Sequence, residues 1–191
     1  MKSLPIGIDD FKKLIDKNYY YVDKTLLIKE LLDKKAEVTL FTRPRRFGKT
    51  LNISMLQYFF EKTEEDNSYL FNGLKIMNES KEYLDYMGKS PVINLSLNGN
   101  VLFEDEKEDF TNIMLKKADI STYNTSLKFL SKCLKRYYKK DAIILIDEYD
   151  VPLENAFFEG FYDEMVKFLR SLFEFALKTN PSLEFAVVTG C

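Results

Sequence analysis

Four short apolar runs punctuate the chain at long intervals: Val38-Thr39-Leu40-Phe41, Val92-Ile93-Asn94-Leu95, Ala142-Ile143-Ile144-Leu145-Ile146 and Phe185-Ala186-Val187-Val188. The last two are continuous rather than alternating, the pattern of strands buried on both faces. Elsewhere apolar positions recur at helical spacing. Asp9 or Asp10 caps a helix that carries Phe11, Leu14 and Ile15 on one face. Tyr19-Tyr20-Tyr21-Val22 reads as extended from its aromatic and β-branched content. Asp23 can cap a second helix, with Leu26, Leu27, Leu31 and Leu32 apolar and an end near Leu32. Three longer helical patterns follow. Leu51 to Phe60 carries Leu51, Met55, Tyr58 and Phe59; Thr122 to Tyr138 carries Leu127, Leu130, Leu134 and Tyr138; Tyr162 to Leu177 carries Met165, Phe168, Leu169, Leu172 and Phe173. Strands that alternate with helices predict a three-layer α/β fold with a mainly parallel sheet covered on both faces. Glu104 to Ser121 is acidic, with Phe103 and Phe110 as anchors and Ile113, Met114 and Leu115 as a possible helix; it reads as a solvated face.

Composition narrows the chemistry. At 191 residues the chain fits one domain, and 46% hydrophobic with 30% charged residues is ordinary for a soluble globule. The net charge of -2 gives no global field for nucleic acid or membrane. No apolar run approaches a membrane span, and Met1-Lys2-Ser3-Leu4-Pro5 opens no signal-peptide apolar region, so a cytoplasmic protein is expected. Cys133 and Cys191 are too few for a disulfide framework. There is no histidine, which excludes Ser-His-Asp and Cys-His catalysis and His-ligated metals. Of the five arginines, three lie in the tetrapeptide Arg43-Pro44-Arg45-Arg46.

That tetrapeptide opens Arg43-Pro44-Arg45-Arg46-Phe47-Gly48-Lys49-Thr50, directly after the first strand. Gly48, Lys49 and Thr50 fill the second half of the phosphate-loop pattern G-x-x-x-x-G-K-[ST], with Arg43 where the first Gly would stand. Successive backbone N–H groups from Arg45 through Arg46, Phe47, Gly48, Lys49, Thr50 and Leu51 would wrap a phosphate at a helix N-terminus. Lys49 would bridge the β- and γ-phosphates, and the Thr50 hydroxyl would ligate Mg²⁺. Arg45 and Arg46 can serve phosphates, a partner subunit or nucleic acid, or be solvated loop charges.

The third strand ends in Asp147-Glu148-Tyr149-Asp150. Two carboxylates suit two tasks: Asp147 for the water shell of Mg²⁺, Glu148 to polarise the attacking water. Asp150 and Glu154 read as loop. Thr189, at the tip of the fourth strand, stands where a polar residue would sense the γ-phosphate.

Together these residues resemble the AAA-ATPase-like family. The resemblance runs from Pro5-Ile6-Gly7-Ile8-Asp9-Asp10-Phe11 and Tyr19-Tyr20-Tyr21-Val22-Asp23-Lys24-Thr25 through the phosphate loop. It continues over Leu145-Ile146-Asp147-Glu148-Tyr149-Asp150-Val151-Pro152-Leu153 to Phe185-Ala186-Val187-Val188-Thr189-Gly190-Cys191. It implies an ASCE-type P-loop NTPase fold with ATP and Mg²⁺ as cofactors: Lys49 and Thr50 on phosphate and metal, Asp147 on metal, Glu148 as the catalytic carboxylate, Thr189 as sensor. Within the family the Arg-Pro-Arg-Arg loop is usual. The Tyr19–Tyr21 segment precedes the loop where related ATPases hold the adenine, so it offers either base contact or core packing.

On this reading residues 1–37 are an N-terminal helical and extended segment, and 38–191 a nucleotide-binding core that lacks a fifth strand and a lid. The implied strand order places the fourth strand between the first and third, with the second outside and the first at an open edge. Partners are ATP, other copies of the chain, or a missing C-terminal PD-(D/E)XK nuclease-like domain. Three alternatives to a working ATPase stand: a nucleotide-gated interaction module, a truncated inactive remnant, and a nucleic-acid-binding module built on Arg43, Arg45 and Arg46.

Overall fold

The computed structural model describes residues 2–44, 47–96 and 120–191. Arg45, Arg46 and the acidic stretch from Glu104 through Ile113, Met114 and Leu115 lie outside the described residues. Strands β1 (Val38–Thr42), β2 (Val92–Ser96), β3 (Ala142–Asp147) and β4 (Leu183–Gly190) form one all-parallel sheet in the order β1-β4-β3-β2. This is the order the family resemblance implies. The fold is α/β, with helices on both faces, and P-loop NTPase-like.

Alternation along the strands divides two apolar layers. On one face Ile143, Leu145 and Val187 join Phe11, Ile28 and Leu31 from the N-terminal helices α1 (Phe11–Asp16) and α2 (Leu26–Lys34). Ile53, Met55, Leu56, Phe59 and Phe60 of α3 (Lys49–Phe60) complete that layer. Helix α4 (Lys81–Leu84) and two 3-10 turns, Ser68–Phe71 and Lys75–Asn78, close over it and bury Leu70, Phe71 and Ile76. On the other face Ala142, Ile144, Ile146, Ala186 and Val188 meet Leu127 of α5 (Ile120–Tyr138) and partly buried Leu172 and Phe173 of α7 (Tyr162–Phe173). A π-helical turn, Glu174–Lys178, extends α7 and buries Ala176. Every residue of β3 is buried, as its continuous apolar run requires.

Several elements depart from the sequence pattern. Tyr19–Val22 makes no strand. The Tyr21 ring instead packs edge-on against Phe11, with centroids 5.4 Å apart, so aromatic content reflects core packing rather than a ladder. Thr25, not Asp23, occupies the cap position of α2 and makes no side-chain cap bond. Asp23 instead organises the turn before the helix, accepting bonds from the Thr25 backbone N–H and hydroxyl at 2.9 and 2.7 Å. Glu154, expected in a loop, belongs to helix α6 (Val151–Glu159), while Asp150 lies in the turn before it as the N-cap residue; Pro152 lies in the first turn of the helix, and Gly160 ends it at φ 82°. The α1 cap is as expected, with Asp10 accepting from the Lys13 N–H at 2.6 Å.

Candidate functional site

Strand register lines up the polar tips. Ser96 pairs with Asp147, and the pair after Ile146 with Val188 sets Asp147 beside Thr189, which in turn faces Phe41. All of these side chains point to the α3 face, because each lies an even number of residues from a side chain in that layer. The sheet thus delivers a polar row at its carboxyl edge, where ligands bind in open parallel sheets.

The loop after β1 turns into α3 through Gly48 at φ 75°, a left-handed conformation that glycine adopts without steric cost. Lys49 opens the helix and is only 9% exposed. Its Nζ curls back to donate to the Arg43 carbonyl at 2.5 Å and to Cys191 Sγ at 3.2 Å. The ammonium is thereby held between the start of the loop and the residue that follows β4. Thr50 is half-buried in the first turn; Phe47 is exposed, and Leu51 packs partly into the core layer.

Asp147 is 1% exposed. The Thr189 hydroxyl donates to its Oδ1 and accepts from the Glu148 backbone N–H at 3.4 Å. Asp147 Oδ2 is buried with no hydrogen-bond partner. A buried carboxylate oxygen left unpaired is costly, so its presence asks for a proton, water or cation. Asp147 lines a cavity of about 220 Å³ together with Thr50, Ser96, Asn94, Gln57, Ser54, Ile53, Asp10 and Asp9. Asp147 and Thr50 both line that cavity, and carboxylate and hydroxyl oxygens are hard donors of the kind Mg²⁺ prefers. Glu148, the residue after the strand end, is half-buried in a left-handed backbone conformation, φ 55°.

The structure brings Lys49, Thr50, Asp147, Glu148 and Thr189 to one end of the sheet. It also places there residues that motif reading does not supply. Ser96 and Asn94 arrive through strand register; the Asn94 amide donates to Gln57 Oε1 at 2.5 Å. Asp10, the α1 cap, accepts from the Tyr58 hydroxyl at 3.1 Å; burial, with this bond, pushes the Tyr58 phenol up to about 12. Lys24 lies beside the loop, its Nζ 3.4 Å from the Phe47 carbonyl. Two-residue alternation and strand order were the available signal for Ser96 and Asn94; nothing local pointed to Lys24.

A parallel α/β sheet with a glycine-hinged loop entering a helix, opposite a buried carboxylate at a strand tip, defines a P-loop NTPase-like protein. The family described as "Predicted AAA-ATPase" (AAA-ATPase-like) matches residues 5–191, and the chain belongs to it. The membership carries a general ATPase-like role and nucleotide binding. An uncharacterized protein from the vnfD 5' region of Azotobacter chroococcum mcd 1 is 29% identical over 206 residues, which cover 99% of this chain. The chain spans about 37% of the length of that relative. No solved structure matches the chain. Among the described residues no helix is long and apolar enough to cross a membrane.

Proposed function

We propose that this domain binds Mg²⁺-ATP at the carboxyl edge of the sheet and hydrolyses it. The observation that carries the reading is Asp147, with a buried, unpartnered Oδ2, lining the same cavity as Thr50, the residue after Lys49. Lys49 binds the β- and γ-phosphates, exchanging its carbonyl and sulfur contacts for phosphate oxygens. Backbone N–H groups of the loop, Arg45 to Leu51, cradle the same phosphates. Thr50 and Asp147 would hold Mg²⁺, which when bound offsets charge on the β- and γ-oxygens. Glu148 accepts a proton from water as the water oxygen bonds to the γ-phosphorus. The bond to the β–γ bridging oxygen breaks, giving ADP and inorganic phosphate. Thr189 acts through the carboxylates: its hydroxyl fixes one Asp147 oxygen and the Glu148 backbone, leaving the second Asp147 oxygen without a protein partner.

Calorimetry tests the assignment. Lys49→Ala is expected to abolish Mg²⁺-ATP binding with far-UV circular dichroism nearly unchanged; wild-type binding by that variant overturns the phosphate-loop reading. Glu148→Gln is expected to keep binding and lose hydrolysis, while Asp147→Asn weakens the Mg²⁺ dependence of binding. Wild-type turnover no higher than that of Glu148→Gln would instead make the domain a nucleotide-gated interaction module.

A further inference from the structure

The tripeptide Asp23-Lys24-Thr25 precedes the phosphate loop by about twenty residues and has no part in the chemistry above. Its geometry is that of a braced turn. Asp23 Oδ1 accepts from both the N–H and the hydroxyl of Thr25, and Asp23 Oδ2 accepts from the Lys75 N–H at 2.8 Å. Thr25 is fully buried, and its hydroxyl oxygen also accepts from the Ile76 N–H at 3.1 Å. The Lys24 N–H donates to the Tyr21 hydroxyl at 3.3 Å, and burial pushes the Tyr21 phenol up to about 12, so it stays a neutral partner at neutral pH. The residues on either side of Lys24 are therefore pinned to the 3-10 turn at Lys75–Asn78, while the Lys24 side chain projects outward to the loop.

There the Lys24 ammonium approaches one peptide unit, Phe47–Gly48. Its Nζ donates to the Phe47 carbonyl at 3.4 Å and lies 3.7 Å from where a Cβ on Gly48 would stand. In a trans peptide the C=O and the following N–H point in opposite directions. Holding the Phe47 carbonyl toward Lys24 turns the Gly48 N–H to the opposite side. On the phosphate-loop reading that opposite side is the one that receives phosphate. The ammonium also polarises the peptide it contacts, which strengthens the Gly48 N–H as a donor to an anion.

We infer that Lys24 is a positioning residue for polyphosphate binding: it sets the orientation and polarity of the Phe47–Gly48 peptide, whose N–H receives the nucleotide's phosphate. The inference rests on the phosphate-loop reading above. It gives the Asp23-Lys24-Thr25 turn a role at the nucleotide site without contact to the base.

The test is calorimetric titration of the full 191-residue chain with ATP, ADP, inorganic pyrophosphate and adenosine. Lys24→Met keeps the aliphatic stem and removes the charge. It is expected to weaken ATP, ADP and pyrophosphate by about three- to tenfold, the scale of one hydrogen bond, and to leave adenosine unchanged. Lys24→Arg should restore most of the loss, and the thermal midpoint of both variants should match wild type, since the side chain is exposed. Lys24→Gln, a donor without charge, should fall between them and stands in if the Met variant folds poorly. Wild-type ATP affinity in Lys24→Met, alongside lost affinity in Lys49→Ala, overturns the role of Lys24 and leaves the phosphate loop standing. Equal weakening toward adenosine and phosphates also overturns it, because that is general disruption. Wild-type ATP affinity in Lys49→Ala removes the phosphate-loop reading and this inference together.

Discussion

At Gly190 only a hydrogen fits. A Cβ there would lie 2.4 and 2.7 Å from the Tyr149 ring and 2.8 Å from Asp150 Oδ1. The ring is held in the layer beneath α7, 6.5 Å from Phe173, so it has little room to retreat. Gly190→Ala is expected to destabilise the fold by about 1–3 kcal/mol, the usual cost of overpacking, read as a lowered denaturant midpoint with unchanged slope. A second single-side-chain effect sits at Asp23. Burial pushes its carboxyl up, but the hydrogen bonds from the Thr25 hydroxyl, the Thr25 N–H and the Lys75 N–H outweigh this and hold it below the ordinary value. A folded pKa below the unfolded one gives stability that is present above roughly pH 4 and lost as pH falls through the folded pKa. Asp23→Asn is expected to cost about 1–2 kcal/mol at neutral pH and to flatten the acid limb of stability. Chemical denaturation at a series of pH values checks this, and an unchanged acid limb would show that other carboxylates dominate it.

Helix α1 illustrates how a short element is held. Six residues do not sustain a helix alone. Asp10 caps it, and the same carboxylate reaches α3 by accepting from Tyr58 at 3.1 Å and Ser54 at 3.5 Å. The Phe11 N–H adds a bond to Ser54 Oγ at 2.9 Å. Asp10→Ala therefore removes a cap and a helix-to-helix tie together. The expected loss is about 1–2 kcal/mol, at the upper end for a cap. Asp10→Asn, which keeps an acceptor, should lose less. Equal losses in the two variants, measured by thermal unfolding, would mean that the charge rather than the acceptor matters.

Among the described residues β1 pairs only with β4, and its burial alternates: Thr39 and Phe41 face the α3 layer, while Val38 and Leu40 are 40% and 55% exposed on the opposite face. Open strand edges flanked by apolar side chains pair with other chains. The 191-residue chain is expected to self-associate at micromolar concentration, and Leu40→Lys to reduce it. Light scattering during size-exclusion chromatography decides between this and a monodisperse monomer, which would show the edge to be covered.

The sequence by itself determined the α/β class and the loop-to-helix entry at Gly48-Lys49-Thr50, while the strand order followed only from the family resemblance. The first two rest on local signals: continuous apolar runs for strands buried on both faces, glycine at a left-handed position, two carboxylates closing an apolar run. The sequence left open or missed what was not local. Tyr19–Tyr21 offered base contact or core packing, and only the folded chain sets Tyr21 against Phe11 across the core. Glu154 looks like loop polarity but occupies a helix, since Pro152 suits a first turn. Only the tertiary structure decided that Thr189 is committed to Asp147, that Ser96 joins their row, and that Lys24 reaches the Phe47 carbonyl. The physical reason is common to all three: register and packing join residues tens of positions apart, and hydrogen-bond geometry between them is fixed by the assembled sheet and its layers rather than by neighbours in the chain.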